Sequence, residues 1–470
     1  MKKQTTFLIP IGNNFFARNF LRTEAFRILS SRTDVRLVLL AHRQKLDYYK
    51  AHFNMPNVVF DICPDIRGLY SEQFFQTIEQ ASIVTSRSHM DQMTGLFRGG
   101  EKNSPLQFIR RLGVFSFKRF FRIVGRIGRP YRMFFRAFYF AYPSNTFAGI
   151  LKKYAPDVVF CPTMVWGEDY RLMREAKKAG IATAGMIFSW DTFYSKTLLR
   201  LHPDHLLVQT DMIRHQAIHL GDYPEDKIIV TGILQYDLYF KHPPICSRED
   251  FMREIGGDPS KKLILYAFSG KAGLHIDVDI VDILHCAISE NLLGEDVQVL
   301  LRPYPRFDFG QEKLEKMRAR YGFLAHASTT SIGTGRADWE MDEEAVAFLA
   351  NSLFHADIVI TIYSTFFIEA AIFDKPLVGI AFDGYRTYNY WNSARRFFDW
   401  DHLRDIKSTN AIWLATDKEE FVRALCAYLK DPARLRSERK QLVLQQAQFV
   451  DGRSGMRTAH ALLSIAGLKP

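Results

Sequence analysis

Ala356-Asp357-Ile358-Val359-Ile360-Thr361-Ile362-Tyr363-Ser364-Thr365, followed by Phe366-Phe367-Ile368-Glu369-Ala370-Ala371 and then Lys375-Pro376-Leu377-Val378-Gly379-Ile380, reads as strand, hydroxyl-rich turn, helix and strand. A short apolar run rich in Val and Ile is what a strand covered on both faces of a parallel sheet requires. The helix that follows presents unpaired backbone N–H groups beside Ser364 and Thr365, a setting that suits phosphate. Ser and Thr are also the ordinary residues for capping a helix, so the turn has a structural reading as well. Glu369 lies four residues beyond Thr365, on the same helix face one turn deeper. There a carboxylate can accept hydrogen bonds from a ribose diol.

Outward from this unit, apolar strand candidates alternate with helical stretches along the whole chain. After Lys241-His242-Pro243-Pro244, which reads as a linker, strands are expected at 263–268, 297–301, 358–361, 377–381 and 412–414. Before it they are expected at 6–11, 36–41, 58–62, 157–161, 182–188, 205–209 and 228–231. Such alternation predicts parallel sheets with helices on both faces. With 470 residues, 47% of them hydrophobic, the chain exceeds one core and divides into two domains. The expected boundaries are 1–241 for the first domain, 246–450 for the second and 451–470 for a terminal helix packing back across both.

Cys63, Cys161, Cys246, Cys286 and Cys426 are odd in number and scattered, without the spacing of a disulfide framework or a zinc site. That composition fits a reducing cytoplasm. The first residues pass quickly into a strand-like run, too short for the apolar core of a signal peptide. No segment reaches the roughly 20 uninterrupted apolar residues that span a bilayer.

Twelve Lys or Arg and no Asp or Glu lie between Lys102 and Pro156, against a net charge of +11 for the whole chain. One segment therefore carries the entire excess. Lys118, Arg122, Arg126, Arg129, Arg132 and Arg136 recur at steps of four and three, beside a stripe that includes Phe120 and Phe121. The pattern predicts a basic amphipathic helical insertion over 102–156, broken near Gly128-Arg129-Pro130. A basic face next to a Phe-rich face suits an anionic membrane surface, with Lys118, Arg122, Arg126, Arg129, Phe120 and Phe121 as the contacts. The alternative is that the aromatics pack on the first domain and the arginines are solvated. Nucleic acid is not expected as a partner, because no single-strand-binding motif accompanies the charge.

In open α/β sheets ligands bind beyond the carboxyl ends of the strands. There the second half offers Ser269-Gly270-Lys271-Ala272-Gly273, small enough for close approach of a phosphate, and Arg302-Pro303-Tyr304-Pro305, whose arginine can neutralise a leaving diphosphate. The first half offers Asp191, in Phe188-Ser189-Trp190-Asp191-Thr192, and Glu168 or Asp169 as carboxylates able to take a proton from an attacking hydroxyl, with Asp191 the preferred base. Asp191 also suits a helix cap, and Glu168 a first helical turn. His42 and His89 are further base candidates. No paired-aspartate motif follows a strand, so no metal is called for and no cofactor beyond the activated substrate is expected.

The segment Ala356 to Asp383 resembles the donor-binding part of GT-B glycosyltransferases, particularly the group around CDP-glycerol glycerophosphotransferases and UDP-N-acetylglucosamine 2-epimerases. Arg302-Pro303-Tyr304-Pro305 resembles the Arg-Pro-His-Pro turn of the first of these, with Tyr304 standing where that group has histidine. Ile229-Val230-Thr231-Gly232-Ile233-Leu234-Gln235-Tyr236-Asp237 and Asp451-Gly452-Arg453-Ser454-Gly455-Met456-Arg457 are similar to two further motifs of the group, with Leu234 in a proline position. The resemblance implies two Rossmann-like α/β domains facing across a cleft. It implies diphosphate contacts from Ser364 and Thr365, a ribose contact from Glu369, phosphate contacts from Ser269, Gly270, Lys271, Arg302 and Tyr304, and a base-reading loop within 329–342.

The activity implied is transfer of a sugar or polyol phosphate from a UDP- or CDP-activated donor to a cell-surface polysaccharide or lipid-linked glycan, metal-independent, on the inner face of the membrane. A 2-epimerase-like isomerase and a non-catalytic nucleotide-sugar-binding scaffold are the alternatives.

Overall fold

The computed structural model describes residues 4–12, 16–66, 68–97, 104–240, 245–269, 274–294, 296–303, 311–325, 330–331 and 339–470. Two sheets organise them. In the first, the strands run in the order Val58–Ile62, Val35–Ala41, Thr5–Pro10, Val158–Cys161, Ala182–Met186, His205–Val208 and Ile228–Val230, with every pair parallel. In the second, the order is Leu324–Ala325, Val297–Arg302, Lys262–Ala267, Ile358–Thr361, Leu377–Ile380 and Ile412–Ala415. Each expected strand is present, within a residue or two of its expected ends.

Both orders reverse direction once, between Thr5–Pro10 and Val158–Cys161 in the first sheet and between Lys262–Ala267 and Ile358–Thr361 in the second. A crevice opens at the carboxyl ends of the strands where such a reversal occurs. The reversals therefore place the loops after these four strands at the sites to examine.

Continuous apolar strands are required because both sheet faces are covered. Phe7 and Ile9 enter one core with Leu37 and Leu39, while Leu8 enters the other with Val38 and Leu40. All seven are wholly buried, and each large apolar side chain so placed contributes about 1.5–3 kcal/mol.

The chain divides into two units, 1–237 with 331–340 and 448–470, and 238–330 with 341–447. The short second segment of the first unit ends in Glu340, a wholly buried carboxylate. It accepts from the N–H groups of Phe16 and Ala17 at 3.2 Å, from Lys45 Nζ at 3.1 Å and from the Tyr49 hydroxyl at 2.7 Å. Lys45 is wholly buried too, so each charge depends on the other.

The terminal helix Ser454–Ile465 lies within the first unit, where its start meets the Thr231-to-Asp237 motif. Asp237 accepts from the N–H groups of Ser454 at 3.0 Å and Gly455 at 2.7 Å, and Arg457 donates to the Thr231 carbonyl at 3.1 Å. Gly232 has φ +94°, and a Cβ there would stand 2.3 Å from Ser454 Oγ. Only glycine fits both the backbone and the contact.

The basic segment forms two long helices, Pro105–Gly125 and Arg129–Ala141, and a short third, Ala148–Tyr154. The first begins with a reciprocal cap between Ser104 and Gln107 and with Pro105 in its first turn; Gly128, at φ +79°, separates the two. Their orientation differs from the expectation. Arg122 is buried and donates to the carbonyls of Ile83 at 2.8 Å and Thr85 at 2.9 Å. Arg132 and Arg136 both grip Asp222, and Arg136 also donates to the carbonyls of Leu198, Leu199 and Gly221.

Arg122 therefore leaves the set of membrane contacts, because its guanidinium is buried and committed to the carbonyls of Ile83 and Thr85. Phe121 is half-buried and packs against the first unit's core, and Lys118 is also half-buried. Arg126, Arg129 and Phe120 remain exposed. What faces outward is chiefly apolar: Leu106, Ile109 and Leu112, and then Phe117, Phe120, Ile123 and Ile127, recur at steps of three and four, with Leu106 80% exposed, and Met133, Phe134 and Phe138 extend the surface on the second helix. Among the described residues no helix is long and apolar enough to cross a membrane.

Candidate active site

At the reversal of the second sheet, three loops converge. Ile358–Thr361 ends in the Ser364-Thr365 turn, which heads the helix Phe366–Ile372. Ser364 Oγ accepts from the Phe366 N–H at 3.2 Å, and Thr365 is exposed. The turn rests on Tyr363, whose ring stacks on Phe397 with centroids 3.9 Å apart. The Thr361 hydroxyl, just before the turn, is buried and has no hydrogen-bond partner.

Val297–Arg302 brings Arg302 to the same place, its guanidinium carbon 4.7 Å from the centroid of Phe366, the first residue of that helix. An arginine held over an aromatic face keeps its charge while losing freedom, a setting that suits a phosphate. Ser269 follows Phe268, whose N–H donates to the Arg302 carbonyl at 3.1 Å. Ser269, Arg302, Ser364 and Thr365 thus lie at one end of three neighbouring strands. Gly270, Lys271 and Tyr304 lie outside the described residues, as do the linker 241–244 and most of 329–342.

Two features here were not foreseen. Ser269 is tied down by Asp277, which accepts from its hydroxyl at 2.7 Å and its N–H at 3.1 Å, while the Tyr266 hydroxyl donates at 2.9 Å to the other oxygen. Burial pushes the Asp277 carboxyl up to about 7, against the pull of those hydrogen bonds. Glu369 is buried, and one of its oxygens accepts from the Tyr239 hydroxyl at 2.5 Å.

At the carboxyl ends of the first sheet's strands, around and beside its reversal, the groups are charged. Asp191 is buried before the short helix Thr192–Ser195, without a side-chain capping bond. Its Oδ1 accepts from Lys196 Nζ at 2.7 Å and Ser189 Oγ at 2.5 Å, and its Oδ2 lies 3.1 Å from Arg87 Nη1. Two cations and a hydroxyl already occupy the carboxylate expected to act as base.

Glu168 sits in the first turn of Gly167–Lys178, its Oε1 3.6 Å from Nε2 of buried His42. Neither ring nitrogen of His42 has a hydrogen-bond partner. Gly12 makes room for the ring, since a Cβ there would stand 2.4 Å from Nε2. Beside the pair, burial and then the Glu168 charge raise Asp169 to about 7, while the Thr163 hydroxyl and the Met164 N–H hold the carboxylate form. His89 is engaged by Arg119 Nη1 at 3.1 Å, and burial followed by the Arg122 and Arg119 charges lowers its pKa. No group of three or more metal-ligating side chains occurs among the described residues.

A sequence profile of the CDP-Glycerol:Poly(glycerophosphate) glycerophosphotransferase family matches residues 195–464, more than half of the chain. The chain belongs to this family, and its class is that of transferases using a nucleotide-activated donor. Among solved structures it resembles a UDP-N-acetylglucosamine 2-epimerase at 14% identity, covering 100% of this chain and 99% of the other with a TM-score of 0.53. It also resembles MnaA of S. aureus in complex with UDP, at 12% identity, 99% of each chain and a TM-score of 0.54. The wall teichoic acid polymerase TagF is similar at 10% identity, covering 98% of this chain and 89% of the other with a TM-score of 0.50. These likenesses establish the fold, two parallel α/β sheets of the GT-B kind. A search of curated proteins found no match.

Proposed function

We propose that this protein moves a sugar or a polyol phosphate from a donor activated by UDP or CDP to a cell-surface glycan of the teichoic-acid type or to its lipid-linked precursor. The observation that carries the reading is the convergence of Arg302, Ser269 and the Ser364-Thr365 turn at the reversal of the second sheet, in a chain of the glycerophosphotransferase family. Hydroxyl donors and one aromatic-backed arginine are what a diphosphate needs to be held and to leave.

In the proposed step the acceptor oxygen bonds to the transferred centre, and the bond from that centre to the carrier phosphate breaks. The electron pair departs on the phosphate, where Arg302 offsets the growing charge, and the acceptor's proton passes to a carboxylate of the first unit. We assign that proton to Glu168, paired with an imidazole that has no other partner, ahead of Asp191, whose oxygens are occupied. Glu369 and Tyr239 bind the ribose in this reading, the phenol turning aside. The exposed apolar stripe, with Arg126 and Arg129 beside it, holds the protein on the cytoplasmic face of the membrane where such acceptors are made.

The test is to incubate the protein with UDP-, CDP- and GDP-linked donors and follow nucleotide release, with and without membrane extract. Release that depends on the extract and is lost in Arg302→Ala is the expected result. Epimerised donor without transfer points instead to an isomerase, and binding without turnover to a scaffold.

A further inference from the structure

The helices Ser86–Phe97 and Pro105–Gly125 border an open cavity of about 320 Å³. That is the small end of the roughly 300–1,000 Å³ usual for ligand pockets. Arg110, Arg111 and Lys118 line it, with Gln107 and Gly95, and the one acid among the lining residues, Asp91, has an oxygen 3.6 Å from Arg87 Nε. None of the three cations has an acidic partner among the described residues. Arg111 Nη1 is buried with no hydrogen-bond acceptor among the described residues. A buried guanidinium nitrogen left so is costly unless an anion arrives.

The opposite face of the same helix presents Leu106, Ile109, Phe120 and Ile123 to the outside. A ligand that satisfies the cavity itself has a phosphate for its cations and a hydrocarbon segment for Leu96, Val114 and Phe115, which line it with them. We propose that this cavity binds the phosphate of a membrane lipid, with Arg111 and Lys118 as its principal ligands. The site deepens the reading of a lipid-linked acceptor, and it rests on that reading. Arg87, one helical turn from Asp91, reaches Asp191 at 3.1 Å. A lipid phosphate seated here is therefore anchored on the helix that also positions a proton-accepting candidate of the first unit.

The experiment uses the full chain and flotation with vesicles of phosphatidylcholine alone or with a minor fraction of phosphatidic acid. Wild type should prefer the phosphatidic acid vesicles, and Arg111→Gln with Lys118→Gln should cut that preference about tenfold while binding to neutral vesicles persists. Gly95→Phe, at a position where an added Cβ meets nothing within 4 Å, should fill the cavity and act alike without removing charge. Arg126→Gln with Arg129→Gln, outside the cavity, should change the preference less.

If both cavity variants keep the full preference while Ile109→Asp with Phe134→Asp abolishes flotation, the cavity proposal falls and the membrane reading stands. If the apolar variant floats like wild type, both fall. If free inorganic phosphate removes the wild-type preference at the concentration of the lipid phosphate, the site is one for free phosphate and the lipid assignment is overturned.

Discussion

The two sheet reversals share a topology and differ in chemistry. The second sheet's end is furnished with hydroxyls, one arginine on an aromatic ring, and carboxylates answered by neutral donors, Asp277 by Ser269 and Tyr266 and Glu369 by Tyr239. The first sheet's end has carboxylates set against titratable or cationic side chains, Asp191 by Arg87 and Lys196 and Glu168 by His42. A site of fixed donors suits a polyanion whose charge grows during reaction. A site of coupled acids and bases suits proton movement.

Removing the arginine should strain this contrast most. Arg302→Ala is expected to lower kcat by about 10²- to 10³-fold, the usual cost of one transition-state donor, with Arg302→Lys recovering part of the loss because charge returns without the fork. Steady-state release of nucleotide measures both.

Next comes the proton. Glu168→Gln should lower kcat by at least about 10²-fold, and more than Asp191→Asn does under the same assay; the reverse ranking assigns the base to Asp191 and makes His42 structural. Tyr239→Phe then removes the donor to a buried carboxylate and should destabilise the fold by about 1–3 kcal/mol in urea unfolding.

The smallest effect is one of pH. Asp277 has its folded pKa raised to about 7, so the folded state keeps a proton that the unfolded chain releases near the ordinary carboxylate pKa. Its contribution to stability is complete below that ordinary value and fades as pH rises to about 7. Asp277→Asn should therefore flatten the fall of stability between about pH 4 and 7, by on the order of 1 kcal/mol per pH unit. Unfolding curves taken across that range, with equal slopes for the two proteins, would remove Asp277 from the account.

The strands were legible because burial on both faces leaves a signature of Val, Ile and Leu that needs no partner to be read. The Ser364-Thr365 turn and Arg302 were legible for the same reason, each standing directly after such a run. What the letters did not show were partners fixed by the tertiary fold. Arg122, Arg132 and Arg136 keep perfect helical spacing for a solvated or lipid-facing stripe, yet carbonyls at 83, 85, 198, 199 and 221, together with Asp222, claim them. Asp277 is one turn inside a helix, and only the fold of the Ser269 loop brings it beneath that serine. His42 was visible as a strand-ending histidine, but Glu168, 126 positions away, gives it chemistry.

The excursion that ends at Glu340 makes the two units inseparable as pieces of chain. Severing the polypeptide near 241 strands Lys45 in a dry interior with its counter-ion on the other fragment, and takes from the first unit the terminal helix that Asp237 holds. Neither fragment inherits a finished interior, so attempts to express the second unit alone should begin from co-production of both pieces.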